Sequence, residues 1–293
     1  MANLKEVRIR IVSVNSTQQI TKAMKMVSAS KLKRAQDAII TMRPYASKLR
    51  DIMENISGSL DAGAGGQFAA VRPVNKILII AITSNRGLCG AFNTNVNRAV
   101  NKMLLETYVS QTKAGNVKIL CIGKKASDFF GKQKELYAGN HNEVYTNLSF
   151  EKVARIAQSV MDQFAAGEYD RVEIVYNQFK NAAVQIVTTE QLLPLTPATS
   201  SSTDKKSNDY IFEPGKEELV LELIPKAIKV QLYKGVLDSH ASEHGARMTA
   251  MSKATDNAGE MLRDLRLSYN KARQAAITGE ILEIVAGAEA LNG

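Results

Sequence analysis

Both ends of this sequence space their apolar residues as long paired helices do. Near the start, Leu32, Ala35, Ile39, Met42, Ala46, Leu49, Met53, Ile56 and Leu60 advance by alternating steps of three and four. Read backward, the same register meets Leu4, Val7, Ile11 and Val14. Heptads of this kind keep one seam of a helix facing a partner helix, the condition for a coiled coil. Between the two sets the register meets Gln18, Thr21, Lys25 and Ser28, all polar, while an apolar stripe runs through Ile20, Met24 and Val27. Such a shift predicts a change of partner or of supercoil. Pro44 predicts a kink rather than an end, because the register continues past it. A helix over residues 4–60 is a rod of roughly 80 Å at about 1.5 Å per residue.

Helical character returns from about residue 216, with a restart after Pro225 as one option. Met248, Met251, Ala258, Leu262, Leu265, Tyr269, Ala272 and Ala276 form a second seam, with Thr255 as its one polar member. Two seamed rods at opposite ends of a chain pair most simply as an antiparallel coiled coil. The last stretch is different: Ala275, Ala276, Ile277, Ile281, Leu282, Ile284, Val285, Ala286 and Ala288 surround the helix axis. A helix apolar all round has to be enclosed. Nothing is left in this chain to enclose it, so an external sleeve is implied.

The middle alternates strands with helices. Strands are predicted at 76–83, 117–122, 172–176 and around 183–193, with helical patterns at 91–108, 124–132 and 150–166. That alternation implies βαβ units and a mainly parallel, Rossmann-like sheet. A Gly/Ala-rich stretch, 58–66, and a Ser/Thr/Lys-rich stretch, 196–208, read as linkers. The expected fold class is α/β, divided into an N-terminal coiled-coil helix (1–60), an α/β domain (67–195), a linker and foot (196–215) and a C-terminal coiled-coil helix (216–293).

Charge is unevenly placed. The first fifty residues carry eleven Lys/Arg against two acids, a balance of +9, which equals the net charge of the whole chain. A solvated helix face and an acidic partner are both compatible with that excess. No run of roughly 18 apolar residues exists to span a bilayer, and the start lacks the apolar core of a signal peptide. Cys89 and Cys121 have no metal-ligand spacing and read as free thiols of a reducing compartment. The absence of Trp argues against a stacking platform for single-stranded nucleic acid.

Three segments carry a resemblance. Residues 20–32 (ITKAMKMVSASKL), 83–93 (TSNRGLCGAFN), and 272–281 with 283–291 (ARQAAITGEI and EIVAGAEAL) resemble, in order, the N-terminal, mid-domain and C-terminal signatures of F-type ATP synthase gamma chains. Asn85 stands where that family commonly has Asp, and Asn208 where some members carry Trp before the Asp-Tyr pair. The resemblance implies a non-catalytic central rotor shaft that couples ion-driven rotation of a c-subunit ring to conformational cycling of catalytic β subunits. Its implied partners are the α and β subunits, the epsilon subunit and the c ring, with no cofactor, no nucleic acid and membrane contact only through partners. By the same resemblance Met24, Arg273, Gln274 and Thr278 meet the stator. The bearing tip comprises Ile277, Ile281, Leu282, Ile284 and Val285, and Asp209 and Tyr210 form the foot on the c ring and epsilon. The short N-terminal lead implies a bacterial protein, peripheral on the cytoplasmic face of the inner membrane.

Other signals point elsewhere. His240-Ala241-Ser242-Glu243-His244 fits an H-x-x-E-H zinc pattern, but a catalytic zinc needs a third protein ligand and a cleft, so coincidence is the expectation. Gly87-Leu88-Cys89-Gly90 follows a strand, yet it matches neither G-x-G-x-x-G nor a P-loop; turn geometry is the expected use of its glycines. Cys89 reads as a small buried residue, and Met24 and Met26 as core filler or partner contacts. A nucleotide-dependent enzyme would need a phosphate loop that is not visible. A coiled-coil nucleic-acid binder or scaffold using the basic first helix is the alternative function.

Overall fold

The computed structural model describes residues 4–57, 68, 72–195 and 216–292. The two linkers and the foot residues Asp209 and Tyr210 lie outside the described residues. The chain divides into two compact units, residues 30–246 and residues 1–29 with 247–293.

Helix α1 (Leu4–Ser57) opens the chain and runs unbroken through Pro44. The α/β elements follow as β1 (Ile77–Ile82), α2 (Phe92–Lys102), α3 (Val109–Lys113), β2 (Val117–Ile122), α4 (Lys124–Phe130) and β3 (Tyr137–Asn140). After these come α5 (Phe150–Ala165), β4 (Arg171–Phe179), β5 (Gln185–Leu193) and α6 (Lys216–Asn292). No restart occurs at Pro225, which lies inside α6.

The sheet order is β3-β2-β1-β4-β5. Strand β1 pairs in parallel with β2 and β4, β2 in parallel with β3, and β4 antiparallel with β5. Strand β1 is wholly buried because its alternating residues serve two cores. Leu78, Ile80 and Ile82 point to the face covered by α5 and by Ile224, Ile228, Leu232 and Val236 of α6. Ile77, Ile79 and Ala81 point to the face covered by α2 and α4, through Val96, Val100, Ala126 and Phe130. The opening of α6 is therefore a layer of the α/β core, although its helical pattern alone reads as the continuation of a rod.

Sequence periodicity missed two features. Strand β3 spans only four residues and includes Gly139 at φ 144°, too short and too interrupted for a strand pattern. The helix expected over 91–108 also changes character, because Met103–Thr107 form a π turn. There the Tyr108 N–H donates to the Met103 carbonyl at 2.8 Å, and the Tyr108 hydroxyl reaches Glu173 Oε1 at 2.5 Å. Burial, followed by the Glu173 hydrogen bond, pushes the Tyr108 phenol above its usual range.

Within residues 30–246, α1 buries Leu32, Ala35, Ile39 and Leu49. Helices α1 and α6 both hold the end of the β4–β5 hairpin. Arg43 donates to the Phe179 carbonyl at 3.2 Å and pairs with Asp238 at 3.7 Å. Ser242 Oγ donates to the Asn177 carbonyl at 3.0 Å. A Cβ on Gly245 would stand 3.2 Å from the backbone of Ala182, so α6 needs a glycine at that approach.

Candidate partner-contact surfaces

In the unit formed by residues 1–29 and 247–293, the two helices run antiparallel. Gln18 Nε2 reaches the Thr255 carbonyl at 3.4 Å, Thr255 Oγ1 reaches Thr21 Oγ1 at 2.8 Å, and Lys25 Nζ reaches Ser252 Oγ at 2.9 Å. Rising residue numbers on α1 thus meet falling ones on α6. Val7, Met251, Ala258 and Leu262 are buried in this seam.

Where the apolar stripe shifts to Ile20, Met24 and Val27, the seam with α6 stays on the polar register. Thr21 and Ser28 are buried at 8% and 3% exposure, while Ile20 and Val27 stand 59% and 57% exposed. Hydrogen bonding to the facing helix lets the polar residues keep the seam, and the apolar stripe faces outward with Ile9 and Val12. Met24 is half-buried, and Met26 is exposed rather than core filler.

The end of α6 is bare. Ile277, Ile281, Leu282, Ile284 and Val285 are 48%, 54%, 64%, 71% and 49% exposed, and every residue over 280–290 is exposed. Arg273, Gln274 and Thr278 are exposed on the preceding turns, with the Thr278 hydroxyl donating to the Gln274 carbonyl at 2.9 Å. Met24 does not join them: its α6 neighbourhood lies near Ser252 and Thr255, roughly 30 Å along the rod at about 1.5 Å per residue. The four residues therefore lie at two separate heights on the rod.

The loop after β1 holds itself together. Ser84 N–H donates to Asn93 Oδ1 at 2.9 Å, Ser84 Oγ to the Arg86 carbonyl at 2.6 Å, and Asn93 Nδ2 lies 3.2 Å from Cys89 Sγ. Leu88 and Gly90 take left-handed φ values of 62° and 60°, the turn geometry expected of this loop, and Cys89 is buried. Asn85 joins two elements. Its Oδ1 accepts from the Lys124 N–H at 2.9 Å, and its Nδ2 donates to the Asn142 carbonyl at 2.8 Å. A carboxylate could make the first bond but not the second, which gives the amide at this position a structural use.

The His240 and His244 rings meet edge to face at 4.5 Å, and Tyr145 stacks on His240 at 5.6 Å. Glu243 Oε2 lies 3.9 Å from His240 Nδ1. Burial pushes the Tyr145 phenol above its usual range. Among the described residues, no group of three or more His, Cys, Asp or Glu is placed to hold a metal. No described helix is long and apolar enough to cross a membrane.

The sequence model of the family described as ATP synthase matches residues 3–291. The ATP synthase gamma chain of Flavobacterium psychrophilum is 60% identical over the full length of both chains. The chain belongs to the ATP synthase gamma chain family. A chain from the central stalk and c ring of the Tetrahymena thermophila mitochondrial ATP synthase is 27% identical, with a TM-score of 0.59 over 80% of this chain and 99% of that one. A chain from the Euglena gracilis mitochondrial enzyme, 24% identical, shares the fold over 98% of this chain and 94% of its own, with a TM-score of 0.70. The three gamma-chain motifs fall on α1, on the loop after β1 and on the end of α6. Members of this family are non-catalytic subunits.

Proposed function

We infer that this chain is the central rotor shaft of an F-type ATP synthase. It couples ion-driven rotation of a c ring to the conformational cycle of catalytic β subunits, during synthesis or hydrolysis of ATP. One observation carries the reading: an antiparallel helix pair ends in a helix that exposes apolar side chains on every side. Apolar surface of that kind gains by entering a sleeve, and the sleeve is the ring of α and β subunits. Turning an asymmetric shaft inside the ring changes which β conformation is favoured, because the shaft binds the conformations unequally.

In this reading Ile277, Ile281, Leu282, Ile284 and Val285 are the bearing tip. Arg273, Gln274 and Thr278 meet moving β elements near the tip, and Met24 meets them lower on the rod. Asp209 and Tyr210 form the foot on the c ring and epsilon subunit. The basic face of α1 follows acidic surface on β, where exposed pairs are individually worth about 0–1 kcal/mol and so hold no single angle. The chain is peripheral on the cytoplasmic face of a bacterial inner membrane, bound through its partners.

Removing residues 281–293 tests the reading. The truncated chain should be more soluble alone, and its assembly with α and β subunits, followed by native mass measurement, should weaken. A less soluble chain that assembles unchanged would place those residues inside this subunit instead.

A further inference from the structure

The helix pair changes its mode of packing in one section. Buried Val7 and Leu262 belong to an apolar stretch of the seam. Over Gln18 to Ser28, by contrast, α1 offers polar side chains to a facing surface where Met251 and Ala258 are buried, and Gln18, Thr21 and Lys25 make amide, hydroxyl and ammonium contacts to Thr255 and Ser252. Gly259 leaves room for the Gln18 amide: a Cβ there would stand 3.0 Å from Gln18 Nε2, which would have to shift. A mid-helix glycine, small serines and a 3.4 Å hydrogen bond pack less firmly than interlocking apolar side chains.

A second observation falls in the same section. Thr17 Oγ1 donates to the Ser13 carbonyl at 3.0 Å and Ser28 Oγ to the Met24 carbonyl at 2.8 Å. The Thr21 and Thr255 hydroxyls lie 3.0 and 2.8 Å from the Gln18 and Met251 carbonyls, and with one proton each they divide two donations between those carbonyls and the bond across the seam. Serine and threonine bonds back onto the preceding turn compete with the helix ladder and bend helices. Soft packing between the helices and softened ladders within them coincide.

We propose that Gln18, Thr21, Lys25 and Ser28, with Ser252, Thr255 and Gly259, form a compliant joint in the helix pair. It is the section that opens, bends or twists first, sparing the apolar seam. That the load on it is torque rests on the rotor reading. The joint itself is a property of the free chain and can be tested without partners.

The test compares two α1 positions of near-equal burial, Ser28 at 3% and Ala35 at 5% exposure. Each is changed singly to Cys in the full chain with Cys89→Ala and Cys121→Ala, and its reaction with a thiol reagent is timed under native conditions. Because static exposure is matched, the rates read local opening, and Ser28→Cys should react at least roughly tenfold faster than Ala35→Cys. Adding Gln18→Leu, Thr21→Val and Thr255→Val should slow it toward the Ala35→Cys rate and raise the melting temperature by a few degrees. The milder pair Thr21→Val with Thr255→Val, nearly isosteric, should move both readouts the same way by less. Equal rates at the two positions, or a lower melting temperature in the milder pair, would overturn the joint. In the assembled enzyme the filled joint should stiffen the shaft in single-molecule rotation. A filled joint that slows labelling of the free chain in an enzyme whose rotation does not involve this subunit would retain the joint and overturn the rotor reading.

Discussion

Two stretches of α6 share a helix and a similar apolar content yet have opposite fates. Over 224–246 the helix is enclosed. Ile224, Ile228, Leu232 and Val236 enter the sheet core, Gln231 and Lys234 address β5, and Asp238 addresses α1. Over 277–290 Ile281, Leu282 and Ile284 stand in solvent. What differs is the surroundings rather than the local pattern. In the first stretch the chain supplies a sheet and two helices; in the second the described residues supply nothing. Burial is a property of what is brought to a helix, and the bare stretch is a demand for something from outside.

The sharpest way to break this comparison is to shave the same side chain in each stretch. Leu232→Ala, at a fully buried position, should cost about 2–5 kcal/mol in urea unfolding. Leu282→Ala, at 64% exposure, should stay within about 0.5 kcal/mol in the isolated chain. A comparable loss at Leu282 would mean that the tip is packed.

A smaller effect concerns how the enclosed stretch is held. Burial raises the Glu190 pKa, but the Tyr176 hydroxyl, at 2.6 Å, with Lys234 and Gln231 outweighs it, so the carboxyl sits below its ordinary range. A lowered carboxylate stabilises above its unfolded pKa, about 4.3, and the contribution is lost as pH falls through the folded value. Glu190→Gln should therefore cost about 1–3 kcal/mol at neutral pH and show less acid destabilisation in a pH series of melts. Asp238 runs the other way. Burial raises it despite Arg43 and Lys234, so its contribution is present below the unfolded pKa and lost as pH rises through the folded one. Asp238→Asn should remove that opposing slope.

The smallest effect is in the bare stretch. Ile284→Gln should leave the unfolding free energy of the isolated chain unchanged within about 0.5 kcal/mol while lowering light scattering on concentration.

Much of the fold was legible because its signals are periodic. The β-branched run at Ile77–Ile82 and the heptads through Leu32, Ala35 and Ile39 each follow one rule over many residues. The bare tip was legible too, since apolar residues circle the helix from Ala275 onward. The polar section was legible only as a shift of the apolar stripe to Ile20, Met24 and Val27, not as a continued seam. Only the facing helix decides between the stripes, and the one hint was Thr255, a polar member placed where it could answer Thr21. Asn85 was legible as a departure from a family pattern but not as a bridge, because its partners Lys124 and Asn142 lie far along the chain. Met24 belongs to one motif and Arg273, Gln274 and Thr278 to another, and a motif says nothing of height on a rod.

The π turn at Met103–Thr107 is a helix carrying one residue more than its ladder can use. Leu105 shows where the surplus goes, standing 74% exposed while Met103 and Leu104 beside it remain buried. Such a turn lets a sequence lengthen without displacing either end of the element. Take the surplus residue away and the helix becomes regular, but everything after it turns by about 100°. The Tyr108 hydroxyl would swing off Glu173, a carboxylate at 8% exposure, leaving it to Arg171 Nε at 3.1 Å. The apparent flaw in the ladder is thus what aims the phenol, and a tidier helix would make a less stable domain.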